Sequence, residues 1–128
     1  MITKESMVVK QLLKKVKIVT DGMPPSDNHA YAFRGKLHFL TKEAKLFKEQ
    51  VMWLAQELVK NKEPMLGDVS VVINYYIKRD RDLLGSDKLL MDALQGIVYV
   101  NDKQITHAEL NKFSDKLNPR VELIVTKI

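Results

Sequence analysis

The chain contains no cysteine, one tryptophan, four prolines and five glycines among 128 residues. Without thiols it cannot build a disulfide framework, a thiolate zinc site or a cysteine nucleophile. It has no low-complexity tract and no repeat at a solenoid period, which removes collagen-like and repeat architectures. No apolar run approaches the ~20 residues that a membrane-spanning helix needs. The opening segment MITKESMVVKQLLKKVK threads lysines through its apolar residues, a pattern unlike a secretory signal.

What is present reads as one globular domain, with 45% hydrophobic and 29% charged residues. Lys+Arg number 21 against 16 Asp+Glu, a formal net charge of +5. Residues 1–17 hold five lysines and one glutamate, so most of the excess sits in the N-terminal stretch. Total charge is therefore weak evidence for an anionic partner, and local placement matters more.

The pattern predicts a single small α+β (mixed α/β) domain over 16–128, with a mixed sheet and two main helices, preceded by an extension at 1–15. Residues 1–15 read either as a strand start or as a short amphipathic helix, since Val9, Leu12, Leu13 and Val16 share a helical face. Val16, Ile18 and Thr20 alternate with Lys17 and Val19 as in a half-buried strand. Pro24-Pro25-Ser26-Asp27-Asn28 is a loop, because two prolines remove two donors and fix two φ angles. Thr41 is a good N-cap, and Ala44, Phe47, Val51, Ala55 and Leu58 keep the helical step, so 42–61 reads as an amphipathic helix. A long strand is expected over 68–79, a second helix over 87–94, and strands over 97–100, 104–113 and 120–128. A turn at 101–103 separates the first two of these last three. The order β, α, β, α, β, β, β suits a mixed sheet rather than a doubly wound one.

The chemistry is unevenly spread. His29, His38 and His107 lack metal-ligand spacing and read as surface or loop residues. There is no glycine-rich phosphate loop and no serine nucleophile elbow. Trp53 reads as a half-buried helix aromatic. What stands out is an acid–base cluster: Lys78, Arg79, Asp80, Arg81 and Asp82, then Asp87, Lys88 and Asp92, and later Asp102. Carboxylates from a strand end, a helix start and a turn can converge on a divalent cation, since Mg²⁺ prefers oxygen ligands. Interleaved cations suit phosphodiesters. Read as surface ion pairs alone, the same residues contribute little.

Four stretches, in order, carry a family resemblance. Asp82 followed by Lys88-Leu89-Leu90-Met91-Asp92-Ala93-Leu94, and Asn101-Asp102-Lys103-Gln104-Ile105 after it, are similar to the signature of the RusA family of Holliday-junction resolvases. Pro24-Pro25-Ser26-Asp27-Asn28-His29-Ala30-Tyr31 resembles that family's N-terminal loop, and Arg120–Val125 its last strand. The resemblance spans about 16–128. It implies a homodimeric, Mg²⁺-dependent endodeoxyribonuclease (Mn²⁺ substituting) with a mixed α/β fold. Such an enzyme cuts four-way branched DNA by paired symmetric nicks in recombination and repair. It further implies a cytoplasmic, nucleoid-associated protein of a bacterium or phage, with no organic cofactor and no membrane partner.

Carried over by position, Asp82, Lys88 and Asp102 are the catalytic residues, with Asp82 and Asp102 as metal ligands. Asn101 stands where the family often has another acid, and Asp92 matches the helical Asp of the signature. The family's second metal-binding Asp falls on Leu84, which cannot ligate. Either Asp80 or Asp87 replaces it, or the chain binds junctions without cutting them. Lys78, Arg79, Arg81, Arg34, Lys36 and Lys103 are the expected DNA-backbone contacts. A reading of another class makes the cluster a salt-bridge network on a scaffold protein.

Overall fold

The computed structural model describes residues 12–25, 31–34, 37–81 and 86–128, with backbone alone for 31–34 and 37–39. Six strands and two α-helices are arranged along the chain: β1 (Lys15–Val19), β2 (Tyr31–Arg34), β3 (Leu37–Leu40), α1 (Lys42–Val59), β4 (Val69–Ile77), α2 (Ser86–Leu94), a 3₁₀ turn (Asp102–Gln104), β5 (Ile105–Ser114) and β6 (Arg120–Lys127). The main sheet has the order β1-β6-β4-β5, and β2 and β3 form a separate antiparallel pair. β6 runs antiparallel to both β1 and β4, whereas β4 and β5 are parallel neighbours joined through α2. This is the expected α+β fold with a mixed sheet and two helices.

Side-chain alternation explains the layering. Val69, Val71, Ile73, Tyr75 and Ile77 of β4 point to one face and are buried, as are Val121, Leu123 and Val125 of β6 and Val16 and Ile18 of β1. That face forms one core with Ala44, Phe47, Val51, Ala55 and Val59 of α1 and with Leu89, Leu90, Ala93 and Leu94 of α2. Each buried aliphatic side chain contributes roughly 1.5–3 kcal/mol. The opposite face, which includes Asn74, Tyr76, Arg120 and Glu122, is half-buried. Leu13 also reaches the core, and the carbonyl of Lys14 accepts from the amide of Lys127. Residues 1–11 of the expected extension lie outside the described residues.

The structure departs from the sequence expectations at several points. α1 begins as expected, with the Thr41 hydroxyl accepting from the amide of Ala44, but ends at Val59 because Lys60 takes a φ of 42°. The stretch 97–100 is a turn rather than a strand. Gly96, at φ 82°, donates to the carbonyl of Tyr99, and Tyr99 makes only isolated bridges to Met65 and Gln95. Its apolar residues are there to plug the core: Val98 and Tyr99 are completely buried. The β2–β3 pair was not anticipated, although Tyr31, Phe33, Leu37 and Phe39 alternate with other residues on either side of Gly35-Lys36. Trp53 is 60% exposed, well beyond half-buried.

Candidate nuclease site

Two buried tyrosines organise the cluster, one at each end of α2. At the amino end Tyr75, on the helix-facing side of β4, accepts a 3.0 Å hydrogen bond from the hydroxyl of Ser86. Burial pushes the Tyr75 hydroxyl up to about 12, with the Ser86 hydrogen bond and Arg81 opposing and the charge of Asp87 adding to the rise. Arg81 is half-buried, and its Nε and Nη2 have no hydrogen-bond partner among the described residues. Desolvation lowers its pKa, which the nearby Tyr75 partly offsets. An unmatched guanidinium costs free energy unless something acidic meets it. Asp87 lies in the first turn of α2, beside the positive end of the helix dipole, and Lys88 is next to it in sequence.

At the carboxyl end, Tyr99 is completely buried and its hydroxyl donates to the carbonyl of Met91. Burial first, then the charges of Asp102 and Asp92, raise the Tyr99 pKa. Asp92 and Asp102 thus share one neighbour. The turn carrying Asp102 is fixed by Gln104. Its Oε1 accepts from the amides of Val100 and Asn101 at 2.8 and 2.9 Å, and its Nε2 donates to the carbonyls of Met65 and Gly67 at 2.8 Å each. The Asn101 side chain accepts from the amide of Lys103 at 2.9 Å, closing a capping box, and the amide of Asp102 donates to Gln95 at 3.1 Å. Asn101 therefore serves as a cap where the family often has an acid. Gln104 is a positioning residue whose role the motif carried but spacing could not reveal.

Lys78 and Arg79 are exposed just beyond β4, and Asp80 is bound by Lys112 at 2.9 Å. The hydrogen bond and charge of Lys112 hold the Asp80 carboxyl below its usual range. Lys103 is exposed beside Asp102. Arg34 lies in β2, its side chain outside the described atoms, and Asp82, Leu84 and Lys36 lie outside the described residues. The structure thus brings Asp102 together with Asp92, and Arg81 together with Ser86 and Asp87, at opposite ends of α2. No group of three or more His, Asp or Glu among the described residues is placed to hold a metal ion. The oxygen donors of Asp92 and Asp102 are nonetheless right in kind for a hard cation.

One further feature escaped the sequence reading. On the open sheet face Arg120 sits 3.9 Å over the Tyr76 ring, which stacks on Phe113 at 5.1 Å. Arg120 also pairs with Asp115 at 2.8 Å and with Glu122 at 2.9 Å. The Arg120 hydrogen bond, with those from the Asn118 and Leu117 amides, lowers the Asp115 pKa. For Glu122 burial acts upward, but the bonds from Arg120 and Lys17 outweigh it and the net shift is down.

A mixed sheet carrying a cation-rich strand end, a helix that opens beside an unmatched guanidinium, and acids on the turn beyond it is an arrangement suited to nucleases. The model of the family described as endodeoxyribonuclease RusA matches residues 21–126 of the 128, and the chain belongs to that family. Its class is accordingly that of DNA-binding endonucleases, hydrolases that resolve Holliday junctions in recombination. No curated protein matches the chain. No helix among the described residues is long and apolar enough to cross a membrane.

Proposed function

We propose that the chain is a divalent-metal-dependent endonuclease that, as a homodimer, resolves four-way DNA junctions by paired symmetric nicks. The observation that carries the chemistry is Arg81, a guanidinium with two unmatched nitrogens beside the start of α2. Such a group suits a phosphodiester oxygen, because charge-assisted donors prefer anionic acceptors. Contacts of this kind position DNA without reading its sequence. Exposed Lys78 and Arg79 extend the cationic track, and Arg34, Lys36 and Lys103 are assigned to the backbone with them.

Lys88 stabilises the charge that develops on the leaving oxygen. Asp82 and Asp102 would hold Mg²⁺ or Mn²⁺, with Asp92 the described acid nearest in surroundings to Asp102, and Asp80 or Asp87 the other acids in reach by sequence. The cation supplies an activated water and neutralises the scissile phosphate. A four-way junction is nearly two-fold symmetric, so a dimer with two sites places both nicks symmetrically. Such a substrate locates the reaction in the cytoplasm, on the nucleoid. Residues 1–15 are a basic extension ahead of the nuclease domain.

A synthetic four-way junction tests this reading. Paired nicks are expected with Mg²⁺ and none with chelator, and Asp82→Asn or Asp102→Asn should cost on the order of 10²- to 10³-fold in rate. Unchanged cleavage in both variants overturns the site. Leu84 favours a second reading, junction binding without cleavage. It predicts tight binding, no nicks, and cleavage gained in Leu84→Asp.

A further inference from the structure

The loop between β5 and β6 presents one side chain in an unusual way. Leu117 is 98% exposed. A lone exposed leucine ordinarily needs no explanation. This one stands on a turn held from several sides. Asp115 Oδ1 accepts from the amides of Leu117 and Asn118 at 3.2 and 3.1 Å, while Asp115 Oδ2 accepts from Arg120. Arg120 donates also to the carbonyl of Asn118 at 3.0 Å and lies on the Tyr76 ring, itself stacked on Phe113. The amide of Asp115 donates to the carbonyl of Ile77 at 2.9 Å, which ties the turn to the end of β4. So much order beneath a side chain that stands almost wholly in solvent points to a rigid mount.

The surroundings indicate what the leucine meets. The turn borders a cleft lined by Lys78, Arg79, Asp80, Arg81 and Pro119, the segment already assigned to the DNA backbone. Asp80 and Asp115 are neutralised by Lys112 and Arg120, while Lys78, Arg79 and Lys116 remain exposed. An apolar point within a cationic rim matches nucleic acid: phosphates meet the rim and base faces meet the point. Apolar side chains of this kind enter DNA as wedges between base steps, at a cost of a few kcal/mol for unstacking. At a four-way junction the stack is already interrupted at the branch, so that cost is smaller there than in linear duplex.

We infer that Leu117 is a wedge that enters the base stack at the branch point and gives the protein its preference for branched over linear DNA. This rests on the nuclease reading above and adds the feature that distinguishes the substrate. The wedge is separate from the reacting atoms, so it sets binding and junction distortion rather than the chemical step.

The test uses the full chain and a four-way junction carrying 2-aminopurine beside the branch, with the same sequence as linear duplex for comparison. Binding is measured with Ca²⁺ in place of Mg²⁺. Wild-type protein should raise the 2-aminopurine fluorescence on the junction alone. Leu117→Ala should abolish that rise and weaken junction affinity about tenfold while duplex affinity stays within about twofold. Leu117→Phe should restore the signal. Since Leu117 buries almost none of its surface, circular dichroism and thermal melting of both variants should match wild type. If wild type prefers the junction and Leu117→Ala keeps both that preference and the fluorescence rise, the wedge is overturned and the nuclease reading stands. If wild type itself shows no junction preference, the nuclease reading falls and the wedge with it.

Discussion

At the amino end of α2 a buried tyrosine hydroxyl receives a hydrogen bond from Ser86, with a guanidinium and one aspartate around it. At the carboxyl end another buried tyrosine gives its hydrogen bond to a backbone carbonyl, and the charges that act on it are those of two aspartates. The helix dipole enhances the contrast: its positive end lies by Arg81 and its negative end nearer the acids. One end therefore seeks an anion and the other a cation. A nine-residue helix separates them by ~13 Å. That exceeds the ~4 Å across which two catalytic metals share a phosphate. The described acids near Asp102 thus belong with a cation, whereas Arg81 belongs with the DNA backbone.

The largest expected effect breaks both ends together. Leu90, completely buried on the inward face of α2, anchors the helix between them. Leu90→Ala should cost about 3 kcal/mol in chemical denaturation. It should also weaken DNA binding and Mn²⁺ binding in parallel near the midpoint. If only one of the two binding functions suffers, the ends are not held by a common helix.

A smaller change should separate them. Asp92→Asn is expected to weaken Mn²⁺ binding by about 10- to 100-fold, measured by electron paramagnetic resonance, because it removes a carboxylate from the surroundings of Asp102. Asp87→Asn, at the other end, should leave Mn²⁺ affinity within about twofold. The reverse ranking would move the metal to the amino end and reinstate Asp87 as the replacement for the acid missing at Leu84.

How far this contrast is legible in the sequence depends on the kind of signal. The sheet strands and both main helices emerge from alternation and the helical step, which local sequence encodes directly: Val69 to Ile77 alternates and Thr41 caps, both as expected. The run 97–100 misled because an apolar stretch looks alike whether it pairs as a strand or plugs a core from a turn, and Gly96 decided the matter. The acids and bases of the site were all visible as residues. Their division between two ends was not, since it arises from α2 running back along the sheet between parallel neighbours β4 and β5. Gln104 stood in the motif, but its side chain reaches the loop before β4, almost forty residues away, and no spacing rule carries that. The mount of Leu117 depends likewise on Tyr76, Phe113 and Arg120 becoming neighbours across three strands.

Arg81 sharpens the comparison by setting stability against binding. Replacing it with Met removes an unmatched buried charge while keeping its bulk, so stability should rise by about 1 kcal/mol. DNA affinity should fall across sequences, and the slope of log affinity against log salt should drop by about one. Stability gained with binding lost is the mark of a group held in readiness for a ligand. Stability lost instead would mean that the guanidinium is a structural element.

The smallest effect compares the tyrosines themselves. Tyr75→Phe and Tyr99→Phe each delete one hydrogen bond and should each cost about 1 kcal/mol. Their functional consequences differ. Tyr75 positions Ser86 and so the start of α2, and its loss should slow junction cleavage without changing Mn²⁺ affinity; Tyr99→Phe should do the opposite. Alkaline titration adds a check on the amino end. The Tyr75 pKa is raised from its ordinary 10 to about 12. Its contribution to stability is therefore fully present below pH 10 and disappears as pH rises through 12. Denaturation midpoints between about pH 9 and 12 should fall less steeply in Tyr75→Phe than in wild type. Parallel curves would place the tyrosinate penalty elsewhere.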